Sequence, residues 1–217
     1  MAGATYKMRP EVARYLAPGV TYDPLRTPLY DRIIFPAAVA IPASNAIFVT
    51  PAGQGGKTEL DTSLRGTGQI PANHVYEIWS PRVYIRPVQP SQIAAPTAAD
   101  VLTDVDSFIN GFFLRIKIVS QEKLVAPVWY LPGGGGIAGF AAFGTTVAAT
   151  QQSSIVVTNG EPNQFAGQRL DPFPIVIPPL QQFTVTLETG GAVGFSPQFV
   201  LQVWIVLDGI LHRPALP

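Results

Sequence analysis

The chain has 217 residues, a formal net charge of zero and no cysteine. The lack of cysteine excludes disulfides, thiolate metal sites and cysteine nucleophiles, and zero net charge argues against a protein whose main task is to coat nucleic acid. Only 13% of the residues are charged and 47% are apolar, against about 25% charged in an average soluble domain. Either uncharged polar residues cover the surface, or other subunits bury much of it.

Residues 1–30 are predicted to form an extended N-terminal arm, followed by one domain over residues 31–217. Prolines stand at positions 10, 18, 24 and 28, and tyrosines at 6, 15, 22 and 30. Pro10 favours a short helix through Leu16, which Gly19 would end. Elsewhere in the arm each proline removes a backbone donor, so no regular ladder is expected. Such an arm lies along its own domain or reaches a neighbour.

Beyond the arm, residues typical of strands recur in eight or nine short segments that Pro and Gly turns separate. The cleanest alternation is in QQFTVTLET, where Phe183, Val185 and Leu187 are expected to face inward and the threonines outward. The predicted strand segments are 32–41, 45–50, 74–85, 112–119, 123–131, 153–158, 173–177, 181–189 and 198–211.

The stretch that follows the third segment has helical periodicity instead. Thr97 is the predicted N-cap of a helix, and Asp100 follows three residues later, as in a capping box. Asn110 and Gly111 are predicted to end this helix. The residues that share one face of this amphipathic helix, predicted over about 98–109, are Val101, Leu102, Val105, Phe108 and Ile109. One helix among so many strands predicts an all-β fold, a single jelly-roll antiparallel sandwich or barrel of about eight strands.

The stretch PAGQGGKTEL contains Gly-Gly-Lys-Thr and invites comparison with a phosphate-binding loop. That loop needs a glycine six residues before its lysine, and the residue six before Lys57 is Pro51. It also needs a helix directly afterwards, whose N-terminus binds the phosphate, and Gly66 and Gly68 leave room for one turn at most. The stretch is therefore interpreted as a glycine loop after a strand.

The same region resembles the jelly-roll capsid proteins of small icosahedral bacterial viruses. In these a glycine-rich turn is followed by Lys-Thr-x-x-Asp-Thr, then by a Gly-Gln-Pro turn with leucine or isoleucine before the proline, and then by an aromatic-rich strand. The likeness extends loosely over residues 33–213, through NGFFLRIKI, APVWYLPGGGGIAGF and IVIPPLQQFTVTLET. The matching residues are Gly55, Gly56, Lys57, Thr58, Asp61, Thr62, Gly68, Gln69, Ile70 and Pro71.

The resemblance implies a virion structural protein made in the host cytoplasm, a capsid subunit that self-assembles into an icosahedral shell around the genome. Its implied partners are copies of itself and other virion proteins, with an internal membrane as a further option. Neither sequence-specific nucleic-acid binding nor a small-molecule substrate is expected. A minor or cementing virion protein is an alternative role within the same class.

Residues that carry chemistry are few, and no catalytic residue, cofactor or metal site is predicted. The two histidines, His74 and His212, are expected to be ordinary strand-end residues, since a metal or catalytic histidine needs partners. Asp100 and Asp104 share a helix face that is expected to be solvated. The protein is therefore not expected to be an enzyme.

The tryptophans offer a different class of function. Trp79, Trp129 and Trp204 lie in strand-like runs and are expected to pack in the core. If instead an exposed aromatic pair lay on one sheet face, a carbohydrate- or receptor-binding jelly-roll module of lectin type would be favoured.

Two segments are predicted to contact other subunits. Residues 1–32 carry five basic and three acidic residues, too small an excess for a genome-binding tail. The arm is expected to become ordered only on a neighbouring subunit. The uncharged glycine tract after Pro132 allows close backbone approach, or else forms a flexible outer loop. The contact candidates are Tyr6, Arg9, Arg14, Tyr15 and Tyr22 in the arm and Gly133, Gly134, Gly135 and Gly136 in the tract.

Overall fold

The computed structural model describes residues 8–66, 68–88, 98–133, 138–141, 155–158, 168–190 and 195–215. This part of the chain holds helices α1 (Pro10–Ala13) and α2 (Ala98–Gly111) and a 3-10 turn at Val128–Tyr130. Its strands are β1 (Tyr22–Arg26), β2 (Leu29–Phe35), β3 (Ser44–Ile47), β4 (Val75–Val88), β5 (Phe112–Ile118), β6 (Gln121–Pro127), β7 (Ala138–Ala141), β8 (Ile155–Thr158), β9 (Ile175–Ile177), β10 (Phe183–Thr189) and β11 (Val200–Pro214).

Two antiparallel sheets form a sandwich. The first has the order β2-β11-β4-β9, and the second has the order β3-β10-β5-β6. The chain changes sheet at most connections between these eight strands, which is the path of a jelly roll. A separate hairpin pairs β7 with β8. The predicted all-β sandwich with one amphipathic helix is thus confirmed.

The core lies between the sheets because the strands alternate. In β10, Phe183, Val185 and Leu187 are buried as predicted, and β5 alternates in the same way opposite it. Each such side chain contributes about 1.5–3 kcal/mol by leaving water. Helix α2 adds Phe108, whose ring stacks on that of Phe112 with centroids 4.4 Å apart.

The end of the predicted arm belongs to the first sheet. Strand β1 pairs with residues 210–214 of β11, and β2 pairs with residues 201–207 of the same strand. The expectation that this segment makes no ladder is therefore wrong for residues 22–26. Pro24 is tolerated because β1 lies at the edge of the sheet, where a missing donor can face away from the ladder. The predicted boundary after residue 30 falls inside β2.

A β-bulge interrupts the pairing of β4 with β11. Asp208 lies opposite Ser80 whereas Gly209 lies opposite Ile78, so Trp79 is an extra residue on β4. A Cβ on Gly209 would lie 2.1 Å from the carbonyl oxygen of Glu77. Only glycine allows this approach, and the bulge reverses which residues of β4 face outward.

Candidate functional site

The glycine loop is anchored by one buried carboxylate. Asp31 on β2 is 1% exposed. It accepts hydrogen bonds from the backbone N–H of Phe48 at 2.6 Å and from Lys57 Nζ at 2.5 Å. The lysine of the Gly-Gly-Lys-Thr stretch is therefore paired inside the molecule and holds its own loop against the sheet.

The other residues of this motif stabilise turns of the backbone. Asp61 accepts hydrogen bonds from the backbone N–H of Thr58 at 2.8 Å and from its hydroxyl at 2.9 Å, and lies 2.6 Å from Arg32. The Thr58 N–H holds the pKa of the Asp61 carboxyl below its usual value, with further lowering from the Thr58 hydroxyl, Arg32 and Lys57 against the raising effect of burial. Gly68 has a φ of +55° and accepts a hydrogen bond from Phe183 N at 2.8 Å.

Arg9 fastens the arm to the outer face of the first sheet. Its guanidinium lies 3.6 Å from the buried carboxylate of Glu77 and 4.2 Å from the ring centroid of Trp79. It also donates hydrogen bonds to Asp171 at 3.1 Å and to the carbonyl of Pro172 at 2.5 Å. The expectation that the arm becomes ordered only on a neighbour is wrong for its described residues, since they dock on their own domain.

The other contact candidates in the arm that the structure describes make contacts within the arm itself. The hydroxyl of Tyr22 accepts a hydrogen bond from the backbone of Ala17 at 2.9 Å. Arg14 lies over the ring of Tyr15 at 4.7 Å, and Arg14 itself is exposed. Tyr6 lies outside the described residues.

The glycine tract is described only at its start. Gly133 is buried, and a Cβ there would lie 2.8 Å from the carbonyl oxygen of Val83. Its close backbone approach is thus made within the chain. Residues 134–136, the other contact candidates of this tract, lie outside the described residues.

Three connections meet at one end of the sandwich. The turn after β5 and the turn before β10 are joined by a hydrogen bond from Val119 N to Gln182 O at 2.8 Å. The loop before β4 joins them through a bond from Leu180 N to Ile70 O at 3.1 Å. Between this end and helix α1 lies a groove of about 500 Å³, lined by Arg14 and Tyr15 of the arm and by Val119 and Phe173. We call this region the end groove.

The end groove is bordered by exposed apolar side chains. Val119 is 63% exposed, Phe173 83% and Leu180 62%. These residues were not singled out from the sequence. For Phe173 and Leu180 the sequence did hold an indication, because an apolar residue beside proline in a turn, as in Asp-Pro-Phe-Pro and Pro-Pro-Leu, is not needed for a strand face.

The tryptophans do not pack in the core. Trp129 is 59% exposed and Tyr130 43%, and their rings meet edge to face with centroids 6.0 Å apart. Trp204 is half-buried on the outer face of the first sheet, 5.6 Å from Tyr84. Trp79 lies under Arg9 on the same face. The expectation of core tryptophans is wrong for all three.

One histidine and one aspartate are more buried than expected. His212 is fully buried on the outer face of the first sheet, and its Nε2 lies 3.3 Å from the carboxylate of Glu77. Asp104 is 2% exposed and accepts a hydrogen bond from Phe199 N at 2.9 Å, so it does not lie on a solvated helix face. His74 is half-buried beside the carbonyl of Ala72.

No cluster of three or more His, Asp or Glu side chains able to hold a metal occurs among the described residues. Neither helix in the described part of the chain is long and apolar enough to cross a lipid bilayer. No family model, no curated protein and no solved structure matches the chain.

Proposed function

We propose that the chain is a structural protein, the subunit of an icosahedral viral capsid. The observation that carries this proposal is the end groove, where three apolar side chains are more than half exposed beside the docked arm. Isolated exposed apolar residues are ordinary, but several together at one end of a rigid sandwich are typical of a protein contact surface. The jelly-roll fold agrees with this role, since it recurs in capsid and lectin domains, although a fold alone does not give a function.

The mechanism is assembly through repeated copies of one weak contact. The end groove of one subunit receives an edge of the next, and the contact closes into rings around symmetry axes. Burying an exposed apolar side chain contributes about 1.5–3 kcal/mol, so each contact is modest and the closed shell gains stability from their number. Charge has little part in this scheme, because few residues are charged and the net charge is zero.

The experiment is to measure the mass distribution of the purified protein by light scattering, with negative-stain microscopy, across salt and pH. Closed particles or uniform rings are the expected result. A protein that stays monomeric at high concentration under all conditions would overturn the proposal. Particles that need a second virion protein would indicate the minor or cementing role instead.

One observation favours a second candidate, a carbohydrate- or receptor-binding module. The exposed pair of Trp129 and Tyr130 presents two aromatic surfaces to solvent, and such surfaces stack on apolar sugar faces. The pair lies in the 3-10 turn after β6, not on a sheet face. Binding to a glycan array that the Trp129→Ala substitution abolishes would support this second candidate. An array on which the protein binds no glycan would exclude it.

A further inference from the structure

Two of the chain segments that line the end groove lie outside the strands of the sandwich. The arm contributes Glu11, Arg14 and Tyr15, and the segment before β9 contributes Phe173 and Pro174. The other described lining residues come from β9, from the hairpin of β5 and β6, and from the turn before β10, all of which belong to the sandwich. The shape of the groove therefore depends on what holds the arm and the segment before β9 in place.

Arg9 links these two segments directly. It immediately precedes α1, and its guanidinium donates hydrogen bonds to the carboxylate of Asp171 at 3.1 Å and to the carbonyl of Pro172 at 2.5 Å. Phe173, which lines the groove, is the next residue of the chain. The same guanidinium lies over the ring of Trp79, 4.2 Å from its centroid, so the first sheet supports the link. One side chain thus joins both segments at the point where each enters the groove.

Few other polar contacts hold either segment. Residues 171–174 are exposed or half-buried, and in the described part of the chain their hydrogen bonds are those from Arg9. Among the described contacts, residues 10–16 make no hydrogen bond to the sandwich, and Val12 packs there through a fully buried apolar side chain. Apolar packing is non-directional, whereas a planar guanidinium with two directed hydrogen bonds fixes distance and orientation together. Arg9 therefore sets the relative position of the two segments.

We infer that Arg9 is a clip that holds the end groove in the shape that receives the next subunit, so that releasing Arg9 weakens assembly. This inference rests on the proposed function, in which a second copy of this chain occupies the groove. A surface that is already fixed in its bound shape binds more tightly, because no free energy is spent on ordering it during association. Arg9 is thus a positioning residue, which acts through the groove lining and needs no contact with the neighbouring subunit.

The first test is the critical concentration for assembly of full-length variants, measured by light scattering. Arg9→Ala should raise it about tenfold or more, the loss expected for one charge-assisted hydrogen bond. Asp171→Asn should raise it less, because the carbonyl of Pro172 still accepts from Arg9. Since both changes break one link, the double variant should assemble no worse than Arg9→Ala alone. Asp171 is exposed, so Asp171→Asn tests the clip even if Arg9→Ala lowers the urea midpoint.

The matched control is Arg213→Ala. Arg213 is also an exposed arginine on the first sheet, and it lies 3.0 Å from the carboxylate of Asp23. Neither residue of this pair is among the described lining of the end groove. Arg213→Ala should therefore assemble at the wild-type concentration. Equal effects of Arg9→Ala and Arg213→Ala would show that loss of any surface ion pair weakens assembly, which would overturn the inference.

The second test measures the groove in the single chain, below the concentration at which it assembles. Because the chain has no cysteine, a Glu11→Cys/Gln181→Cys variant can carry two spin labels, one on the arm and one on the turn before β10. Pulsed electron paramagnetic resonance should give one narrow distance distribution, which Arg9→Ala should broaden. A distribution that stays narrow in Arg9→Ala, or unchanged assembly of both Arg9→Ala and Asp171→Asn, would overturn the inference. A wild-type chain that never assembles, but whose distribution depends on Arg9, would contradict the proposed function and still confirm the clip.

Discussion

At the scale of single residues, buried carboxylates organise this molecule more than any exposed charge does. Asp31 and Asp104 each accept a backbone N–H from another part of the chain, and Asp61 accepts one from Thr58 in its own turn. A carboxylate leaves water at low cost only when such donors surround it. The Lys-Thr-x-x-Asp-Thr motif is therefore explained by the way it fixes a loop.

The anchor role of Asp31 can be measured. Asp31→Asn removes the charge that pairs with Lys57 and should lower the free energy of unfolding by about 2 kcal/mol, less than for a fully buried ion pair because Lys57 can turn to solvent. The measurement is urea denaturation followed by circular dichroism. Glu59→Gln is the control, since its pair with Arg65 is exposed and its loss should leave the midpoint unchanged. Equal urea midpoints for Asp31→Asn and Glu59→Gln would show that Asp31 does not anchor the loop.

Asp61 should make the stability of the chain depend on pH. Because the pKa of Asp61 is lowered in the folded chain, its contribution to stability is complete above the ordinary carboxyl pKa of about 4 and is lost as the pH falls through the lower folded pKa. Wild type should therefore exceed Asp61→Asn in stability by about 1–2 kcal/mol at pH 6. The difference should shrink steadily below about pH 4. Urea midpoints between pH 2.5 and 6 will check this, and a difference that does not change with pH would contradict it.

At the scale of elements, the arm is held by side chains and not by its short helix. Helix α1 has four residues and no side-chain cap, too little to form alone. Val12 is fully buried and Arg9 makes the polar contacts. The arm is thus a strap whose local stability depends on one arginine.

Arg9→Ala should loosen this strap without unfolding the sandwich. We expect hydrogen exchange in residues 8–16 to quicken about tenfold or more, for a local loss of about 1.4 kcal/mol, with little change in β5 and β10. Arg14→Ala is the matched control, because Arg14 is exposed. Exchange that is the same in both variants would show that apolar packing alone docks the arm.

At the scale of the whole molecule, the two ends of the sandwich differ. The end groove carries Val119, Phe173 and Leu180. At the opposite end the turn after β2 meets the segment before β11, through a hydrogen bond from Ala38 N to Pro197 O at 2.7 Å. This asymmetry allows a direct test of which end makes subunit contacts.

The triple variant Val119→Ser/Phe173→Ser/Leu180→Ser should abolish particle formation and leave the urea midpoint near that of wild type, because these side chains are mostly exposed in the single chain. Val39→Ser, at the opposite end and 52% exposed, should assemble normally. Sedimentation velocity and negative-stain microscopy will distinguish the outcomes. Normal shells from the triple variant would show that the end groove is not the contact.

Periodicity in the sequence was sufficient to predict most of the elements, although not strands β1 and β7. The alternation in β5 and β10, the helical face of Val105, Phe108 and Ile109, and the misplaced glycines around Lys57 are all local, and the structure agrees with each. Local patterns report on backbone conformation because side-chain spacing repeats every two or 3.6 residues. They predicted an all-β sandwich with one helix and excluded a phosphate-binding loop.

Only the tertiary structure decided which groups meet and which face is covered. Asp31 and Lys57 are 26 residues apart, and Glu77 and His212 are 135 apart, so no spacing rule joins them. Strand β11 carries apolar residues on both faces, so its sequence does not say that Trp204 faces outward. The bulge at Trp79 then shifts the alternation of β4 by one residue. Sequence thus determined most of the strands, while packing in three dimensions determined the buried carboxylates, the docked arm and the end groove, because each depends on contacts between segments far apart in the chain.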